Sequence, residues 1–134
     1  MADTVTSQTI QDGERVAILK FTNESDGTGE ASVKKVDVSA LTKDSRGRSC
    51  SSVSISRIYW ACRGMGVDIE FDATANVLAI PLPADSTGDE YYDLFSGIPN
   101  NAGSGVTGDI DFTTVGHSSG DAYSIILVLN KNYS

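Results

Sequence analysis

Two cysteines, three prolines, one tryptophan and one histidine are spread over 134 residues, and each scarcity removes a class of explanation. Cys50 and Cys62 alone cannot form the disulfide framework that staples small secreted domains. Two thiols and one imidazole also fall short of a four-ligand structural zinc site. A bridge between them would close a short loop and contribute roughly 3 kcal/mol. The preferred expectation is two free thiols, with Cys62 a small buried apolar residue and Cys50 a loop thiol. Positive charge is also scarce: ten Lys and Arg against 18 Asp and Glu leave a formal net charge of -8. That balance argues against a general nucleic-acid binder, which needs a basic face to displace counterions from phosphates. Anionic membranes are disfavoured for the same reason. No apolar run has the length needed to span a bilayer, and MADTVTSQT has neither a cationic nor an apolar leader region, so a soluble product without a Sec-type signal is expected.

Helical periodicity is lacking too; the dominant period is two. Thr4 to Ile10 is rich in Thr and Val and runs into the turn QDGE. RVAILKFT is apolar on both faces, as a buried central strand is, although periodicity alone also permits a short helical segment. NESDGTGE reads as a hairpin loop or exposed tip, and ASVKKVDV as a strand with a wetter face. From Ser39 to Ser52 the pattern lapses, with room for one helical turn at SALT. In VSISRIYWAC the apolar set shifts parity from Val53 and Ile55 to Ile58, Trp60 and Cys62, which predicts a bulge near Ser56 and Arg57. VDIEF splits cleanly into Val67, Ile69 and Phe71 against Asp68 and Glu70. VLAIPLP ends at, or becomes an edge strand because of, Pro81 and Pro83. Residues 84–107 read as a second irregular region, followed by GDIDFTT, the turn HSSGD and the closing YSIILVLNK.

This pattern predicts a single all-β domain over residues 1–134, an antiparallel β-sandwich with jelly-roll-like connections and about eight or nine short strands. Residues 1–12 are a candidate extended arm. YSIILVL is apolar on both sides, so it is expected to lie centrally, with a loop, a second layer or a neighbouring subunit over its outer face. HSSGD would then reverse the chain from GDIDFTT directly into it.

No catalytic motif is evident, and an enzyme is not expected. His117, Ser118, Ser119 and Asp121 supply the residue types of a nucleophilic triad, but they crowd into one turn and cannot hold each other in relay. The acidic groups, Asp68, Glu70 and Asp72, then Glu24, Asp26 and Glu30, then Asp109 and Asp111, read as solvated faces; the alternative is a weak divalent-cation site. The EF-hand frame is absent, and neither a metal nor a cofactor is expected. Trp60 belongs with Ile58 in the core. Tyr91, Tyr92 and Phe95 lie in a loop-like stretch, where aromatic residues either make an interface or cap the open end of a sandwich.

The segments TVTSQTI-x-DGER, NNAGSG-x-TGDI and GD-x-YSIIL resemble small virion structural proteins of tailed bacteriophages, especially marine and cyanobacterial ones. The resemblance covers about half the chain; Ser39 to Pro83 has no part in it. It implies a capsid decoration or cement protein that sits on the outer surface of the major capsid protein shell. Such proteins are homo-oligomers, here a dimer or trimer, that stabilise the head. It also implies manufacture in the host cytoplasm and residence on the virion. Thr4, Val5, Thr6 and Ile10 of the arm, with Tyr91, Tyr92 and Phe95, are then the candidate partner contacts. A carbohydrate- or receptor-binding module and a head-tail or tail component of the same virion are the alternatives.

Overall fold

A computed structural model describes residues 3–92 and 97–133. Nine strands occur among them: β1 (Thr4–Asp12), β2 (Val16–Glu24), β3 (Val33–Val36), β4 (Cys50–Arg63), β5 (Gly66–Phe71), β6 (Val77–Leu82), β7 (Thr87–Tyr91), β8 (Ile110–Val115) and β9 (Ala122–Tyr133). All strand pairings are antiparallel, and they form a five-stranded sheet in the order β1-β2-β9-β4-β7 and a four-stranded sheet in the order β3-β8-β5-β6. Without β1 these are the two four-stranded sheets of a jelly roll; β1 is an extra strand outside β2.

The period-two pattern decides which side chains meet between the layers. Leu19 and Phe21 of β2, Ile125, Leu127 and Leu129 of β9, and Ile55 and Ile58 of β4 face Val67, Ile69, Phe71, Ile110 and Phe112 of the other sheet, and all are buried. Phe112 is the hinge of this packing. Its ring meets Phe21 edge-on at 5.3 Å and Tyr123 at 5.8 Å, so one aromatic residue of the smaller sheet contacts two strands of the larger. The β4 bulge is where the parity shift placed it: the register slips between Ile55 and Arg57, letting Val53 and Ile55 point inward before it and Ile58 and Cys62 after it.

YSIILVL is indeed the middle strand of its sheet, paired with β2 on one side and β4 on the other. The turn before it does something else than expected. β8 and β9 belong to different sheets, so HSSGD carries the chain across the sandwich instead of closing a hairpin. It is tied to the β2–β3 loop, where Ser25 N–H donates to the Asp121 carbonyl at 2.7 Å and Gly120 N–H to the Ser25 carbonyl at 2.9 Å. Turn residues mark a reversal, but they do not say in which layer the reversed chain lands.

Three further differences have local causes. The supposed arm is an ordinary strand, because β1 pairs with β2 from Thr4↔Glu24 to Asp12↔Ala17. β7 falls inside the stretch read as irregular; TGDEY has no apolar alternation because an edge strand there has little to bury. Its Gly88 lies against Trp60, where a Cβ would come within 2.8 Å of the indole ring. Finally, Cys50 is no loop thiol but a buried residue at the start of β4. Both cysteines are free, and twelve strand positions apart, roughly 40 Å, they could form no bridge. Burial pushes Cys62 up to about 11 and also raises Cys50, so neither is a reactive thiolate.

Candidate functional site

In an antiparallel ladder, residues that oppose each other share a face. The outer face of the five-stranded sheet can therefore be read in rows. One row runs Gln11, Ile18, Val128, Arg57, Tyr91; the next Gln8, Lys20, Ile126, Tyr59, Asp89; the third Thr6, Thr22, Ser124, Ala61, Thr87. Its middle is aliphatic, with Ile18, Ile126 and Val128 half-buried. Among the described residues no second layer lies over them, since both sheets are accounted for and the other one packs on the opposite face.

Beside this band stands an aromatic and cationic corner. Tyr59 and Tyr91 meet edge to face at 6.2 Å, and the Arg57 guanidinium lies 4.5 Å from the Tyr91 ring centre. The hydrogen bond between the two phenols lowers Tyr59 and raises Tyr91 from the ordinary tyrosine value, as expected when Tyr91 donates to Tyr59. The bulge at Ser56 is what makes this corner. If Ser56 took an ordinary ladder position instead of bulging, Arg57 and Tyr59 would fall on the inward parity of Val53 and Ile55.

The structure divides the candidate contacts. Thr4, Thr6 and Tyr91 share this outer face, at its two opposite edges, and Tyr91 is 54% exposed. Val5 lies on the other side of β1, in the row of Asn23 and Tyr123, yet is exposed because β1 overhangs the smaller sheet. Ile10 sits in the β1 bulge between Thr9 and Gln11 and is 50% exposed. Tyr92 packs against the core, its N–H donating to the Ser56 carbonyl at 2.7 Å, so it seals the sandwich and burial raises its pKa. Phe95 lies outside the described residues. The aliphatic band and Arg57 were not among the candidates, although the two-sided apolarity of RVAILKFT and YSIILVL was the signal for them.

The triad-type residues hold a turn. Asp121 accepts the backbone N–H of Ser118 at 2.8 Å, and His117 Nδ1 lies 3.1 Å from the Thr114 hydroxyl.

Three of the acidic residues depart from the solvated faces expected of them, while Glu24 is exposed and Asp26, Asp68, Glu70 and Asp72 are part-exposed. Asp109, Asp111 and Glu30 are all buried: the 3₁₀ turn at Val38–Ala40 reaches Asp109, Asn76 reaches Asp111, and Glu30 lies against Tyr123, Asn23 and Thr114 between the sheets. Asp109 pairs with Lys34 at 2.9 Å and accepts the Val38 N–H. Glu70 takes hydroxyls from Thr113 and Ser32. Among the described residues no three acidic, His or Cys side chains converge as metal ligands do.

Asp111 is the exception in this group, since Asn76 serves its Oδ2 at 3.0 Å while Oδ1 has no donor. A proton shared with the neighbouring Asp72 satisfies it. Burial and that hydrogen bond push Asp111 up to about 7, while Asp72 is lowered by the same bond and by Thr107. Between about pH 4 and pH 7 the folded chain therefore holds a proton that the unfolded chain has lost, so Asp111 makes stability fall as pH rises through this window. Asp111→Asn supplies the donor permanently. It is expected to flatten this slope and, at pH 8, to stabilise by about 1–2 kcal/mol, or roughly 2–8 °C, in melting curves recorded across pH.

No protein-family model matches the chain, and no curated protein is similar to it.

Proposed function

We propose that the chain is a non-enzymatic structural protein of a phage virion, a capsid decoration or cement protein that docks on the outer surface of the major capsid protein shell and stabilises the head. The observation that carries this reading is the uncovered aliphatic band of Ile18, Ile126 and Val128 with the Tyr59, Tyr91 and Arg57 corner beside it. A central strand that is apolar on both faces gains from burial of its second face, roughly 25 cal/mol for each Å² of apolar surface covered. Tyr and Arg are the residue types enriched where proteins meet. One face of Tyr91 is already occupied by Arg57, which favours a protein partner over a stacked sugar ring.

The chain is expected to co-sediment with empty heads of its phage, saturably and at a high, fixed copy number. The double substitution Ile126→Thr with Val128→Thr keeps strand-compatible β-branched residues while removing apolar surface. It should weaken binding at least tenfold, about 1.4 kcal/mol, with the fold retained. Failure to bind heads together with retention on host polysaccharide would transfer the protein to the receptor-binding class. A copy number matching a single ring would make it a head-tail or tail component.

A further inference from the structure

A sandwich with two open sheets has four edge strands, and an exposed edge is a template for pairing that folded proteins usually blunt. Three of the four are blunted here. β3 is four residues long and carries Lys34 and Lys35. β6 contains Pro81 and is paired across a register shift. β7 is five residues long and carries Asp89 and Glu90.

β1 has none of these devices from Thr4 to Thr9; its bulge at Ile10 lies beyond that run. It is nine residues long, and Thr4–Gln11, TVTSQTIQ, has no charge and no proline, is exposed throughout, and keeps unbroken register with β2 from Thr4 to Thr9. Nor does β1 add to the core, since no residue of it is buried. It is nevertheless pinned at both ends. Asp3 accepts the N–H groups of Asp26 and Gly29 at 3.1 and 3.2 Å and an Asn23 amide hydrogen. At the far end Asp12 pairs with the buried Lys131 ammonium and takes the Thr42 N–H at 2.9 Å. A strand with nothing to bury is thus held straight by carboxylates outside the open run, which is how an edge is pre-organised for a partner.

We propose that β1 pairs antiparallel with β1 of a second copy across a two-fold axis, joining two five-stranded sheets into one of ten strands. Charge selects this occupant. Two chains of net charge -8 repel, and Thr4–Gln11 is a neutral strip along which they can approach. Identical strands are self-complementary about such an axis, and Thr and Ser make favourable cross-strand pairs. The inference holds independently of what the aliphatic face docks on. Its consequence for that face is continuity: the rows beginning at Thr6 and Gln8 run on into the second copy, so one dimer presents two docking bands side by side.

A contact of one strand's length falls below the roughly 1,200–2,000 Å² of stable interfaces, so the dimer should dissociate on dilution. In sedimentation velocity the full chain is expected to shift from monomer to dimer as concentration rises towards the millimolar range. Over the same range, hydrogen exchange should slow at alternate amides of β1, those whose N–H groups point away from β2. Val5→Lys with Thr9→Lys places like charges on one side of the paired strands and should leave a monomer at every concentration with an unchanged melting temperature. A wild-type chain that stays monomeric to the millimolar range would overturn the proposal. So would a dimer that persists in the lysine variant, or one that forms without protection of β1.

Discussion

A chain ending at Asp121 is expected to yield no folded protein. The missing segment, β9, is hydrogen-bonded to β2 from Val16↔Asn130 to Glu24↔Ala122 and to β4 from Cys50↔Tyr133 to Arg63↔Ala122. Without it the larger sheet has no middle, and two pairs of strands are left with facing edges too far apart to join. Tyr123, Ile125, Leu127 and Leu129, each at most 2% exposed, leave the core together. Removing a buried side chain of this size costs about 2–5 kcal/mol on its own. The sum exceeds the roughly 5–15 kcal/mol by which a domain is stable at all. The purified truncation should show neither near-ultraviolet circular dichroism nor a cooperative thermal transition. A sharp melt would mean that the sandwich closes without its central strand.

Glu30→Ala should be the most damaging single substitution outside the apolar core. The Glu30 carboxylate accepts the Tyr123 hydroxyl at 2.6 Å and the Asn23 amide at 2.9 Å, and it pairs with the ammonium of Lys35, whose side chain is only 6% exposed. Its backbone meets Thr114, so this one residue links β2, β3, β8 and β9 across both sheets. Burial first, and then Glu30, hold the Tyr123 phenol far above its ordinary value, which keeps it a donor at any pH the protein meets. Alanine here leaves a buried ammonium and a buried hydroxyl without their acceptor, and losing one partner of a buried pair costs about 3–5 kcal/mol. Urea unfolding should register that loss. The double substitution Glu30→Ala with Lys35→Met should cost less than the two single changes added together, because the stranded charge is gone. A loss under about 1 kcal/mol for Glu30→Ala would show that water, not the carboxylate, serves these donors.

What was legible beforehand follows from what alternation can and cannot encode. The parity shift in VSISRIYWAC disclosed the bulge because an extra residue must reverse the in-out pattern of everything after it. The clean split in VDIEF and the double apolarity of YSIILVL disclosed a sandwich strand and a sheet centre. TGDEY was not legible as a strand, since an edge with both faces wet has no pattern to show. Asp109, Asp111 and Glu30 looked solvated because carboxylates usually are. Their burial depends on partners that strand pairing and one turn bring to them: Lys34 and Lys35 of β3, Tyr123 of β9 and Asn76 of the β5–β6 turn. The aliphatic band was half visible: two-sided apolar strands announced a second face, but that Ile18, Val128, Arg57 and Tyr91 form one row depends on inter-strand register.

The bulge at Ser56 separates two phases of β4, with odd-numbered Val53 and Ile55 inward before it and even-numbered residues inward from Ile58 onward. Deleting Ser56 would leave a strictly alternating strand with Ile58 and Cys62 still inward and Arg57 and Tyr59 still outward, whereas drawing Ser56 into the ladder without a deletion would turn Ile58 and Cys62 to solvent and drive Arg57 and Tyr59 into the core. What the extra residue adds is a carbonyl outside the ladder: the Ser56 oxygen holds the Tyr92 N–H at 2.7 Å, so the bulge ties the chain leaving β7 back onto β4.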